Sequence, residues 1–416
     1  MTKQNNMTHR IFTALATGIS ALLLFVPASA SGAGRNQKPF GWAVCSSIGS
    51  GDDYELTGGR GGRKTVLKSN GADMKNEIAA AISNYDIIIL DGTNGPFMVS
   101  STIVLDKVKG KSLLGVNGAV LKTAFDVTPE LKKRLLDAKL NRYSWRSGTG
   151  GRLSNGRKVD EEREMKTRQL IIDYTGDEKE TYRDSGLLLF NNSENVIIRN
   201  ISFVGPGSVD LGADDCLSLT RKCTHFWVDH CSFCDGMDGN MDITGGSDLN
   251  TVSWCKFFYT DKSYDHSFSN LIAGTHLDPE SRWDFYNTTF YACEWGAGVQ
   301  SRTPMARFGT IHLLNCYFNC PKGIDVVNPR DVSEFLVENC WFSENLSKPV
   351  IKISCQLHPV KAWTVCGNIF KTPCDLKDCG EVKMPYRYGR YVMNASKVPE
   401  TVTREVGPVL SESNLF

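Results

Sequence analysis

The chain lacks an excess of either charge, a second long apolar run and a high proline content. Lys and Arg number 47 against 46 Asp and Glu, for a formal net charge of +1 over 416 residues. That balance excludes a general nucleic-acid coat or a highly charged tail protein. Past position 30 no apolar stretch compares with Ile11 to Val26, so no stable membrane insertion is expected of the mature chain. Hydrophobic residues make up 41% and charged residues 22%, which excludes disorder over most of the length. Gly is frequent, 38 residues against 15 Pro. Length alone suggests two or three domains, a prior that an internal repeat overrides.

Residues 1–30 read as a removable signal. Lys3 and Arg10 precede the apolar run, and Ala28-Ser29-Ala30 supplies small residues for cleavage before Ser31. The run is short for a membrane anchor. No Cys follows closely enough to take a lipid. The expectation is a soluble, exported protein, periplasmic or extracellular, with one domain over 31–416. Fourteen Cys remain, thirteen of them between Cys216 and Cys379, and an oxidising compartment permits disulfides.

An eight-residue pattern recurs, with Phe at its end: VIIRNISF (Phe203), FWVDHCSF (Phe233), NTVSWCKF (Phe257), WDFYNTTF (Phe290), IHLLNCYF (Phe318), FLVENCWF (Phe342) and WTVCGNIF (Phe370). The intervals of 30, 24, 33, 28, 24 and 28 residues are those of a solenoid. Five residues before each Phe stand Ile198, Val228, Val252, Phe285, Leu313, Val337 and Val365; two before stand Ile201, Cys231, Cys255, Thr288, Cys316, Cys340 and Asn368. A flat strand points these two positions to opposite faces. Both enter one core only if the chain turns a corner between them. The residue there is Asn200, Asn287, Asn315 or Asn339, with His230, Trp254 and Gly367 elsewhere, and Asn and Gly tolerate left-handed backbone. Two short strands around a repeated corner describe a parallel β-helix.

In that frame Cys231, Cys255, Cys316 and Cys340 share one inward phase and are read as stacked free thiols. Cys374 and Cys379 lie outside the stack and are candidates for a bridge. Cys231 and Cys234 have a zinc-like spacing, but no second pair fits. Gly71 to Ser83 reads as a short helix capping the open coil end. Residues 126–185 interrupt the strands as a charged insertion, with a helix expected over Pro129 to Leu140. Lys132 to Arg168 holds twelve Lys or Arg and five Asp or Glu, read either as a solvated excursion or as a basic wall toward a polyanion. Residues 371–416 are expected to lie along the outside.

Measured against the Phe marks, Asp215, Asp238, Asp242, Arg302 and Arg307 fall at similar phase in coils of nearly equal length, and Asp238 and Lys262 each follow a Phe by five residues. Stacking then gathers three carboxylates and three cations on one side. Clustered carboxylates repel unless a cation joins them, and hard oxygen ligands favour Ca²⁺. Asp214 is a further candidate ligand. Two Arg around Pro304 make a grip for carboxylate groups.

Gly58-Gly59-Arg60-Gly61-Gly62, NVIIRNISF, WVDH (Trp227 to His230), Asp238-Gly-Asn-Met-Asp242 and Arg302-Thr-Pro-Met-Ala-Arg307 occur in this order. In them the chain resembles polysaccharide lyase family 1, the pectate lyases, over about Gly58 to Phe370. The resemblance implies an all-β, single-stranded, right-handed parallel β-helix that cleaves polygalacturonate by Ca²⁺-dependent β-elimination. It implies Asp215, Asp238 and Asp242 as metal ligands, Arg302 as base, and Lys262 and Arg307 as substrate-binding cations. The partner is then an acidic polysaccharide such as pectin, with no nucleic acid, and the protein a monomer. WVDH is read as structural. The insertion, Trp254 in place of the family's Asn, and DKSYDHSFSN around Lys262 depart from the family pattern. Competing readings are a pectin lyase without metal, a two-carboxylate hydrolase and a non-catalytic carbohydrate-binding β-helix.

Overall fold

The corner is present in coil after coil. Asn200, His230, Trp254, Ala292, Asn315, Asn339 and Gly367 all hold positive φ, between 49° and 64°. Each joins a strand of one sheet to a strand of the next, as where Thr310–Leu314 turns into Tyr317–Phe318. The computed structural model describes residues 38–142, 144, 156–321, 323, 326–355 and 357–415, with backbone alone at 156–160. The expected signal segment 1–30 lies outside these residues. Three sheets of ten, nine and seven strands run in unbroken chain order, and the named strands all pair in parallel, as in Phe203, Phe233 and Phe257. This is a parallel β-helix.

Inside, like stacks on like. Phe203, Phe233, Phe257, Trp295, Phe318, Phe342 and Phe370 form one stacked column, with ring centroids 4.4–5.6 Å apart. Beside it Cys231, Cys255, Cys293, Cys316 and Cys340 are fully buried. No disulfide joins any described cysteine, and Cys374 and Cys379 are free thiols.

One repeat is displaced from its expected register. Phe290 pairs with Val252 and Leu313, and Trp295 with Phe257 and Phe318. The true unit is therefore TTFYACEW, with its corner at Ala292, and lies five residues beyond WDFYNTTF. The decoy has Phe, Asn and Phe at the right spacing, whereas the true unit ends in Trp. Asn287 is buried and binds Asp248 and the Asp284 carbonyl, so its Asn-Thr-Thr sequence offers no exposed glycan acceptor.

Helix Lys75–Asn84 closes the coil end as expected: Ile78, Ala81 and Ile82 pack into the main core with Ile88, Leu90 and Phe97. The charged insertion has a core of its own. Thr128 caps helix Pro129–Asp137, a second helix follows at Gly156–Thr175, and Leu131, Leu135 and Ile171 pack on Val209, Leu211 and Met237. No described helix is long and apolar enough to cross a membrane.

The last residues use the corners as a docking row. The Asn200 amide binds both backbone groups of Leu410, the Asn315 amide binds Tyr391 O and Met393 N, and Asn339 donates to Met393 O. Helix Val398–Glu405 buries Val398 and Val402 in a cluster with Trp254 and Ala292. WVDH is likewise architectural. Asp229 accepts from Arg199 Nε (2.9 Å) and Ser253 Oγ (2.5 Å) and pairs with His230 Nδ1 (2.8 Å), while Arg199 also donates to Leu415 O.

Because Phe257 touches a ring on each side, Phe257→Ala opens a cavity mid-column. It is expected to cost about 3–5 kcal/mol, read as a lower denaturant midpoint in equilibrium unfolding.

Candidate active site

The seven-stranded sheet positions the acids. Leu217 pairs with Met241 and Ser218 with Asp242. That register sets Asp215 opposite Gly239, and single bridges continue the row through Phe268 to Ser301. Asp238 precedes the row by one residue and Arg302 follows it by one. Gly239 keeps the space open: a Cβ there would lie 2.8 Å from Asp215 Oδ1 and 3.3 Å from Asp242 Oδ1. Two carboxylates thus flank one small gap.

Their electrostatics differ. Asp215 Oδ2 accepts from Ser218 Oγ at 2.7 Å, but its buried Oδ1 has no hydrogen-bond partner. Burial, then Asp242 and Asp238, push Asp215 well above the usual carboxylate range. Asp242 accepts from Leu271 N at 2.9 Å and is pushed up to about 7, chiefly by burial. Asp238 moves the other way: burial would raise it, but His266 and Arg302 outweigh that and hold it low. Its side chain is still 27% exposed. Asp214 accepts from Thr102 Oγ1 at 2.6 Å and is raised by burial. Beside Asp214 opens a surface pocket of about 420 Å³ that Arg168, Lys179 and Arg183 help to line.

Arg302 holds a left-handed φ of 60° and lies over the Phe268 ring, 4.9 Å from its centroid. Its charge pulls down all three acids. Arg307 donates to Ala273 O at 2.8 Å; burial, Arg330 and Arg302 lower it to about 10. Lys262 is turned to the insertion, where its Nζ pairs with Asp126 Oδ1 at 2.5 Å. The structure therefore brings together Asp215, Asp238, Asp242, Arg302 and, at the margin, Arg307, and gives Lys262 a separate partner.

No group of three or more His, Cys, Asp or Glu among the described residues converges tightly enough to hold a metal as it stands. The donor chemistry nonetheless suits a hard divalent cation: an unpartnered buried oxygen, a gap only glycine leaves, and two acids that resist ionisation without a counter-charge. Sequence reasoning missed His266. Its Nδ1 lies 2.8 Å from Asp210 Oδ1 and its Nε2 3.1 Å from Asp238 Oδ1. The Asp265-His266 dipeptide carries no spacing signal, because its partners come from other coils and from the insertion.

A family model for pectate lyases matches residues 153–412. The chain belongs to the pectate lyase family. A pectate trisaccharide-lyase of Thermotoga maritima is 34% identical over 141 residues, 32% of this chain and 36% of that protein. A probable pectate lyase B of Aspergillus terreus is 34% identical over 157 residues, 36% of this chain and 44% of that protein. The chain thus spans less than half the length of these pectate lyase relatives. Among solved structures, a pectate lyase from Bacillus sp. N165 in complex with trigalacturonate matches with TM-score 0.57 and 19% identity, over 89% of this chain and 99% of its own. The major allergen of cedar pollen, jun a 1, matches with TM-score 0.57 and 17% identity, over 87% and 92%. At such identities the likeness to these structures establishes the fold alone, the parallel β-helix.

Burying these acids costs stability. The folded value of Asp242, about 7, lies above its unfolded value, so its contribution is lost as pH rises from about 4 through 7. Asp242→Asn is expected to stabilise the protein in chelator at pH 8 by about 2–4 kcal/mol, with the gain vanishing below about pH 4. Thermal unfolding across that pH range measures it.

Proposed function

We propose that this protein is an exported lyase that cleaves polygalacturonate by Ca²⁺-dependent β-elimination, acting as a monomer. The observation that carries this reading is Arg302, held over Phe268 beside three carboxylates, one of which has a buried oxygen without a partner. The family and the relatives named for cleavage of pectate support it, as does a fold neighbour solved with trigalacturonate.

Asp215, Asp238 and Asp242 would hold the cation. Bound there, calcium supplies positive charge to a uronate carboxylate and so acidifies the neighbouring carbon 5. Arg302 takes the proton from carbon 5. The electron pair left behind forms the bond between carbons 4 and 5, and the bond from carbon 4 to the glycosidic oxygen breaks. That oxygen takes up a proton from solvent, and no water is added across the cleaved bond. Arg307 orients substrate carboxylates. Lys262 does the same once a sugar carboxylate replaces Asp126 at its ammonium group. An arginine side chain is protonated near neutrality, so a base role requires rates that climb into the alkaline range.

The test is incubation with polygalacturonate, following the ultraviolet absorbance of unsaturated product with calcium and then with chelator. Product is expected only with the cation, and Arg302→Lys is expected to lower turnover by about 10²–10⁴-fold. A rate plateau running unchanged to acidic pH, or near-normal turnover in Arg302→Lys, would remove Arg302 from the base role. Binding without any product would make the protein a carbohydrate-binding β-helix instead. Export is checked separately by amino-terminal sequencing of the mature protein, expected to start at Ser31.

A further inference from the structure

The charged insertion is tied to the acidic site by a continuous chain of contacts. Arg163, on the second insertion helix, is buried, with 1% of its side chain exposed. Its guanidinium donates to Asp210 Oδ2 at 2.8 Å and to Asp210 O at 3.0 Å. Arg142, also from the insertion, places its Nε 3.1 Å from the same carboxylate oxygen. The other oxygen, Oδ1, takes His266 Nδ1 at 2.8 Å. A second tie runs through the backbone, where the Asp265 carboxylate accepts from Arg142 N at 2.6 Å and from His266 N at 2.9 Å. His266 is thus clamped by its side chain to Asp210 and by its main chain to Asp265, and both of these acids are gripped in turn by the insertion.

The clamp leaves one ring nitrogen facing the site. The His266 side chain is 7% exposed, and its Nε2 stands 3.1 Å from Asp238 Oδ1. That is ion-pair distance without a hydrogen bond, so a buried ring nitrogen is aimed at the carboxylate without being fully engaged. The ring also leans on Phe268, with centroids 4.0 Å apart, and Phe268 carries Arg302. One imidazole therefore borders both the third carboxylate and the arginine platform.

We propose that His266 is a positioning residue, and that the insertion serves as the scaffold of the cation site through Arg163, Arg142 and Asp210. With His266 Nε2 fixed at ion-pair distance from Asp238 Oδ1, the exposed part of that carboxylate is presented in a constant orientation. A carboxylate fixed in advance loses less freedom on meeting a cation, and hydrogen-bonded neighbours of metal ligands typically account for about 10–100-fold in affinity. The inference rests on the reading that Asp215, Asp238 and Asp242 hold a divalent cation.

Calcium affinity by isothermal titration calorimetry tests it without reference to turnover. His266→Gln and Asp210→Asn are expected to weaken calcium binding by about 10–100-fold. In the lyase assay they should raise the calcium concentration for half-maximal rate by a similar factor, while excess calcium restores most of the turnover. A purely architectural role would not give that rescue. Asp210→Asn disturbs the buried Arg163, so thermal unfolding in chelator accompanies each variant, and His266→Gln, which leaves Arg163 paired, decides if Asp210→Asn is unfolded. Wild-type calcium affinity in a folded His266→Gln protein would overturn the proposal and leave the lyase reading standing. If the unaltered protein takes up no calcium in the calorimeter, the cation reading itself fails, and this inference with it.

Discussion

A single backbone constraint underlies the molecule: one residue in left-handed conformation between two inward-pointing side chains. Without it, positions five and two before each aromatic would face opposite ways and no common core would form. With it, each coil from Phe203 to Phe370 adds a ring to the aromatic column and, over five coils, a thiol to the row from Cys231 to Cys340. The same turn faces an amide outward at Asn200, Asn315 and Asn339, and the closing segment of the chain bonds to all three. Corner geometry thus specifies both the inner stacks and the track on which the carboxy-terminal residues dock.

Stacking also explains how chemistry separated along the chain comes together. Asp215, Gly239, Phe268 and Ser301 occupy one row because parallel pairing repeats register from coil to coil. This much was legible in the sequence, since phase within a repeat is conserved by hydrogen bonding whatever the loops do. The misplaced repeat at Phe290 shows the limit. Aromatic spacing cannot distinguish Phe285, Asn287 and Phe290 from Phe290, Ala292 and Trp295, because either set supplies an apolar residue, a corner and a ring. Only pairing with the coils on each side separates them. Lys262 shows another limit: its phase was readable, but its ammonium group is taken by Asp126 of the insertion, a partner no phase argument reaches.

The acidic site is where the fold gives up stability. Two other buried carboxylates are compensated: Asp229 by Arg199, His230 and Ser253, and Asp210 by two arginines and a histidine. Both are held low despite burial. Asp215 and Asp242 have one hydrogen bond each and the charge of Arg302, too little against burial, and are pushed the other way. Buried like charges without full compensation are a feature of sites built to receive something. The contrast within one protein shows that its fold can neutralise a buried acid where architecture demands it.

Asp238 stands between these two classes, and the insertion explains why. A β-helix coil supplies ligands at regular phase, but regular phase gives each carboxylate only the neighbours of the adjacent coils. Compensating one acid of three takes a group on a neighbouring coil that is itself braced from outside the repeat. His266 does this, and it depends on Asp210, Arg142 and Arg163 to be held there. An excursion that looks in the sequence like a solvated charge-rich loop therefore places one of its arginines at 1% exposure, within one carboxylate and one imidazole of the acids. Its remaining charges dissolve it; that arginine connects it to the chemistry.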